Sequence, residues 1–481
     1  MGRVTSYSID RSVRRAGDGT VLIGGSPLTL FRLTRAGADL IDRIERGDSI
    51  ESTPAVEGLL DRLLNAGALH PVPLPLKPGA SGPTPRLTVV IPAYNTSPED
   101  LDRLVHQCHA YGQGEVGHVI VVDDASAPAI GPIANATVIR IAVNGGPGVA
   151  RSTGLSHVTT PLVAFVDTDV ELTPGWLAPL LAHLDDNLVA VVAPRVGSRA
   201  GTTLLERYEM LQSPLDLGGA PARVRAGTRV SYLPAAALVC RADALRSVGA
   251  FDTALRLGED VDLVWRLDKA GWRVRYEPAA EVTHRPRGTW VGWARQRHDY
   301  GTSAAPLAER HPGALAPVRV SGWSAAAWLA VAAGVPLVGT SIAAVTTALL
   351  ARKLRSVPDG PRLALRLAGL GHLYAGRSLA SGVSRAWWPL AALLSLVSRR
   401  ARRVVLIALT LPAAIDWVNT RPGLDPMRYV GLRALDDLSY GTGLVRGCIS
   451  TRSAEALLPD FRSWPGRSTR VAQTPEDTRA G

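Results

Sequence analysis

The chain has 481 residues, 46% of them hydrophobic and 20% charged, a balance that excludes wholesale disorder and leaves room for two or three domains. The net charge is +11, yet eleven basic side chains stand in residues 351–403 against one acid, Asp359. These basic residues flank apolar segments and are not interleaved with aromatics, which excludes a nucleic-acid partner and points to anionic lipid.

Cys108, Cys240 and Cys448 are far apart. They form no disulfide framework and no metal spacing, so a reducing, cytosolic setting is expected. The N-terminus, MGRVTSYSIDRSVRRAG, lacks the apolar core of a signal peptide.

Residues 1–73 read as a small α+β unit. VLIGGSPLTLFRL gives a strand, a Gly-Gly turn and a second strand. TRAGADLIDRIERG is an amphipathic helix opened by Thr34 and closed by Gly47. A second helix lies near TPAVEGLLDRLLNAG, and ALHPVP suits a wing or edge strand. Residues 71–85 hold six prolines and two glycines, which predicts an extended linker over 74–85.

From residue 86 to about 315 the pattern changes. LTVVIPAYN, HVIVVDDAS, ATVIRIAV, PLVAFVDTDV and LVAVVAPRV are short Val/Ile-rich runs. Helical stretches separate most of them: SPEDLDRLVHQCHAY, GPGVARSTGLSHV and PGWLAPLLAHL. Strands alternating with helices predict an α/β domain around a mostly parallel, buried sheet. Ligands of such sheets sit beyond the C-terminal strand ends.

Residues 320–351 carry no charge across 32 positions, longer than the roughly 20 a spanning helix needs. Pro336 interrupts the run, so a kinked span and a shallow hairpin are both open. Residues 316–418 are therefore expected to form a membrane-associated helical region, and 419–481 a polar tail.

Two aspartates, Asp167 and Asp169, close the strand AFVDTD. Their repulsion is relieved by solvent or a cation, and Mg²⁺ or Mn²⁺ prefers such hard oxygen ligands. A solvated turn capping the helix near Pro174 fits the pair equally well. Asp123 and Asp124 end another strand, where a carboxylate can accept from a nucleobase or ribose. NGGPGVARSTGL puts a glycine-rich turn before a helix bearing Arg151, which suits a diphosphate. Glu259 and Asp260 stand at a helix start, as caps or as a proton acceptor. His284 ends a strand, as a structural residue or a metal ligand.

The ordered set PAYN, VDDAS, N-x-G-x-x-x-AR, DTD, VGAFD, GED-x-DL-x-x-R, Y-x-P and His284 resembles the family 2 glycosyltransferases of the GT-A fold, over residues 87–300. The resemblance implies inverting transfer of a sugar, usually from a UDP-linked donor. It implies that Pro92, Tyr94 and Asp123 or Asp124 hold the nucleoside and that Arg151 approaches the diphosphate. Asp167 and Asp169 bridge ribose and metal, with His284 a second ligand to Asp169's cation. Asp260 is the general base and Glu259 orients it. The Q-x-x-R-W signature of processive members is absent; the nearest stretch, RQRHDYG, has Arg297 and Tyr300.

The whole layout is similar to the glycosyltransferases of the mycofactocin system. That likeness implies glucosylation of a small peptide-derived acceptor, premycofactocin, and residues 1–73 resemble PqqD-like, winged-helix peptide-recognition domains. A transferase acting on polyprenyl phosphate or a cell-envelope glycan is the alternative. Either way the expectation is a cell-membrane protein with its catalytic domain facing the cytoplasm, where UDP-sugars are found.

Overall fold

The computed structural model describes residues 6–73 and 85–462; most of the Pro-rich linker and the end of the tail lie outside them. The chain divides into two compact units. One is Met1–Ala314 with Pro422–Leu424, the other Leu315–Arg421 with Asp425–Gly481.

In the first unit, strands Val21–Gly24 and Thr29–Arg32 pair antiparallel across the Gly-Gly turn, and Arg14–Ala16 adds a third strand. Helix Arg35–Arg46 starts where the Thr34 hydroxyl accepts from Gly37 N–H. It stops at Gly47, whose φ of 75° is left-handed and free of strain only for glycine. Helix Pro54–Asn65 follows. Leu69–Val72 is an edge strand paired with Ser6–Ile9, a strand too polar to be read from its sequence. Leu22, Phe31, Ile41, Leu63 and Leu69 form the core of this module. The module rests on the larger sheet of the same unit: Arg273 donates to both Asp61 and Asp186, and the Arg229 backbone N–H donates to Ser26 Oγ.

That larger sheet has nine strands. Across it run Thr137–Ile141, Val116–Asp124, Leu87–Ala93, Leu162–Val166, Ala237–Arg241, Val189–Ser198, Arg273–His284 and Val170–Leu172; Ala222–Arg223 pairs off this path with Arg273–His284. The first four are mutually parallel, and Val189–Ser198 is parallel to Arg273–His284. Ala237–Arg241 runs against both its neighbours. Burial on both faces explains the unbroken Val/Ile runs: Ile91, Val121, Phe165 and Val192 are inaccessible to solvent. Helix Pro147–Ser156 packs tightly on the sheet because Gly154 has no side chain; a Cβ there would stand 2.3 Å from Val90 Cγ1. This mixed, mostly parallel sheet with helices packed on it agrees with the expected GT-A arrangement.

The second unit is helical. The uncharged run does not form one span: it breaks at Gly334, φ 83°, into Gly322–Ala332 and Pro336–Lys353. At 1.5 Å per residue these measure about 16 and 27 Å, against a hydrocarbon core of about 30 Å. The longer helices Gly360–Arg385, Arg399–Thr420 and Pro426–Thr451 carry four, five and five charged residues. Among the described residues, no helix is long and apolar enough to cross a membrane. The expected cell-membrane location is thereby overturned. Four of the eleven basic residues are also engaged within the protein. Arg377 pairs with Asp416, Arg385 pairs with Asp437, and Arg400 and Arg402 donate to the carbonyls of Ala333 and Ser395. The stretch read as a polar tail contains the 26-residue helix Pro426–Thr451, whose small residues allow close packing; a Cβ on Gly441 would meet the Arg385 carbonyl at 2.4 Å.

Candidate active site

Three neighbouring strand ends meet at one edge of the sheet, because Leu87–Ala93 lies between Val116–Asp124 and Leu162–Val166 in parallel register. The loops beyond them are tied together. Asn95 N–H donates to Ser126 Oγ, the Asn95 side chain accepts from Ala127 N–H, and the Thr96 hydroxyl reaches Thr168. Pro92 is half-buried below this edge, and Tyr94 is exposed on it.

Asp123 and Asp124 are both buried. Asp123 accepts from Ser126 N–H, Ile130 N–H and the Arg140 guanidinium. Burial alone acts to raise its pKa, but these donors hold the carboxyl below its ordinary range. Asp124 accepts from the N–H groups of Gly145 and Gly146, both at 2.8 Å. The two carboxylates therefore order the loops, and two N–H groups of the glycine-rich turn point to Asp124. Arg140 was not singled out from the sequence, and Ser126 stood in the VDDAS stretch without a role; the Asp-x-x-Ser spacing of a side-chain-capped turn was the available signal.

Arg151 lies buried at the centre of the acidic set. Its Nη2 donates to Asp167 Oδ1 at 2.7 Å and its Nη1 to Glu259 Oε1 at 2.6 Å. It thereby joins the end of strand Leu162–Val166 to the start of helix Glu259–Lys269. The guanidinium also faces the Phe251 ring at 5.7 Å. Burial and the Asp260 charge push Glu259 up to about 7, against the Arg151 attraction. Burial raises Asp167 and Asp260 as well. Asp260 is only partly covered and is aimed by two backbone donors, Ala235 N–H at 3.0 Å and Val261 N–H at 2.8 Å.

The antiparallel pairing of Val170 with His284 brings Asp169 beside the histidine. His284 Nε2 lies 3.0 Å from Asp169 Oδ2. Burial acts to raise Asp169, but the His284 hydrogen bond outweighs it and the pKa falls below the ordinary value. Among the described residues there is no group of three or more His, Cys, Asp or Glu side chains arranged to hold a metal. Asp169 and His284 make a two-donor set, and Asp167 is turned toward Arg151. Two protein donors suit a cation that arrives with phosphate oxygens and water as its other ligands. Tyr300, from the stretch RQRHDYG, also lies within the field of Asp260 and Asp169. Its helix, Trp290–Thr302, is anchored by Arg297 and Trp293, both bonded to the buried Glu209.

Residues 88–245 match the family model described as glycosyl transferase family 2. The chain is 41% identical over 478 residues to the pre-mycofactocin glycosyltransferase of Mycobacterium tuberculosis, covering 95% of this chain and 98% of that one. It is 27% identical over 212 residues to the succinoglycan biosynthesis protein ExoU of Rhizobium meliloti, covering 41% of this chain and 60% of that one. Among solved structures, a Pyrobaculum calidifontis mannosyltransferase in complex with GDP-Man and Mn²⁺ aligns with a TM-score of 0.36 at 19% identity, over 74% of this chain and 87% of that one. With its family motifs at the strand ends and a relative matched along nearly the whole length, the chain belongs to glycosyl transferase family 2 and is a glycosyltransferase.

Proposed function

We propose that the chain transfers a hexosyl group, glucose from UDP-glucose, to a hydroxyl of premycofactocin with inversion at the anomeric carbon. The observation that carries this reading is the extent of the likeness to the Mycobacterium tuberculosis relative. It includes the N-terminal module and the C-terminal helices as well as the catalytic sheet. On this reading residues 86–315 perform the transfer and residues 1–73 present the peptide-derived acceptor.

Asp260 takes the proton of the acceptor hydroxyl. The hydroxyl oxygen bonds to the anomeric carbon from the face opposite the diphosphate. The bond to the diphosphate oxygen breaks, and its electron pair leaves with UDP. Ala235 and Val261 N–H groups hold the Asp260 carboxylate in place while leaving a lone pair for the proton. Arg151 positions Glu259 beside it and fixes Asp167 at the ribose side. Pro92 and Tyr94 cover the nucleoside over loops ordered by Asp123 and Asp124. Asp169 and His284, with Asp167 nearby, are the residues to hold Mg²⁺ or Mn²⁺, which when bound neutralises charge on the departing diphosphate.

The test is incubation of the purified full chain with labelled UDP-glucose, premycofactocin and Mn²⁺, followed by mass spectrometry of the products. A product heavier by one or more hexoses, with stoichiometric UDP, is expected. UDP released only with a polyprenyl phosphate, its label passing into organic extract, would overturn the acceptor. EDTA is expected to abolish transfer and added Mn²⁺ to restore it; full turnover in EDTA rules out the metal role.

A further inference from the structure

Far from the acidic set, strand Arg273–His284 carries a second unusual group. Arg275 is buried, and none of its three guanidinium nitrogens has a hydrogen-bond partner among the described residues. Its cross-strand partner is another buried arginine, Arg223, whose Nε is also unpartnered. Like charges directly opposite on paired strands repel, and a buried guanidinium without a partner loses its hydration with nothing in exchange.

The surrounding charges do not balance. Arg223 and Arg225 share one acid, Asp268. Arg273 takes both Asp61 and Asp186. Four guanidinium groups thus face three carboxylates, and the uncompensated charge is at Arg275. Burial and then the two neighbouring arginines lower its pKa to about 10, so it remains cationic at neutral pH. Water can satisfy N–H donors but cannot cancel a charge. Tyr7, a half-buried residue of the N-terminal module, lies within the field of Arg275, so the group stands where that module meets the sheet.

We propose that Arg275 and Arg223 bind a small monoanion of chloride size, which joins the N-terminal module to strand Arg273–His284. The anion accepts from the orphaned N–H groups of both arginines and supplies the missing negative charge. The site is structural. It fixes the strand whose other end carries His284, without taking part in transfer.

The test is thermal unfolding of the full chain in sodium chloride titrated against sodium gluconate at constant ionic strength. Gluconate is too large to enter. A saturable rise in Tm of about 3 °C or more with chloride is expected. Arg275→Met, similar in shape and uncharged, should lose the chloride response and be at least as stable in gluconate as the wild type. If that variant fails to fold, crystals of the wild type grown in bromide decide the matter. An anomalous peak within hydrogen-bond reach of the Arg275 guanidinium supports the site. A wild-type Tm indifferent to the anion, or a bromide crystal without that peak, overturns it.

Discussion

At the scale of single residues, the acidic set divides by what each carboxylate already holds. Asp123 and Asp124 accept from loop donors, Asp167 and Glu259 from Arg151, and the partly exposed Asp260 only from backbone N–H groups. Asp260→Asn preserves shape and cannot take a proton. A fall of roughly 10²–10⁴-fold in kcat is expected, with UDP-glucose affinity nearly unchanged; a matching collapse in affinity would put Asp260 in the donor site. The pH profile tests the same pair. With Glu259 pushed up to about 7 by burial and by Asp260, kcat/KM should rise with pH and reach half its maximum near 7. Glu259→Gln removes the like charge and should move the midpoint down. Stability has the opposite sign. The native state holds the Glu259 proton more tightly than the ordinary value of 4.5 allows, so this contribution is full below that pH and is lost as pH rises through about 7. The sequence shows these acids at strand and helix ends, but it does not show which donors they face. The Arg151 bridge depends on two segments 108 residues apart, and no local spacing announces it.

At the scale of elements, most strands buried on both faces were legible, because an unbroken Val/Ile run has few other uses. Ala237–Arg241 is buried too but was not read, since its short run ALVC lacks the Val/Ile repetition, and its antiparallel course is set by its neighbours. Ser6–Ile9 was hidden by its two serines. The glycine-rich turn before helix Pro147–Ser156 was read as a diphosphate loop, while Gly154 inside the helix serves packing against Val90. Gly154→Ala should therefore destabilise by about 1–3 kcal/mol through overpacking, read as a lower denaturation midpoint with the m-value unchanged. An unaltered midpoint would mean that the helix can move off the sheet freely. Arg151→Met acts between elements. It leaves Asp167 and Glu259 without their cation, and a loss of about 3–5 kcal/mol is expected, together with a drop in kcat. If turnover falls while stability holds, Arg151 contacts the donor instead of joining the strand to the helix.

At the scale of the whole molecule, hydropathy counted along the chain misled about the membrane. The apolar run 320–351 is long enough in residues but folds as two helices around Gly334, and four arginines of its basic continuation find carboxylate and carbonyl partners inside the protein. Neither fact is visible without the fold. The N-terminal module was legible as strands and helices, while its attachment to the catalytic sheet was not, because that attachment uses single polar side chains. Asp10 is its centre. Burial acts to raise the Asp10 carboxyl, but His70, Ser12 and Arg229 hold it far below its ordinary value of 3.8. Asp10 Oδ2 lies 2.8 Å from His70 Nε2 within the module and 3.3 Å from Arg229 of the catalytic part. Its contribution to stability is present above pH 3.8 and is lost as pH falls toward the depressed value. Asp10→Asn removes the buried charge that His70 and Arg229 face, at a cost of about 2–4 kcal/mol. In calorimetry of the full chain at neutral pH, the variant should show the module melting earlier than the sheet, as a separate transition. The wild type should melt the two together and should acquire the same separation only in acid. A variant whose module and sheet still melt together at the wild-type temperature would show that the attachment does not depend on Asp10.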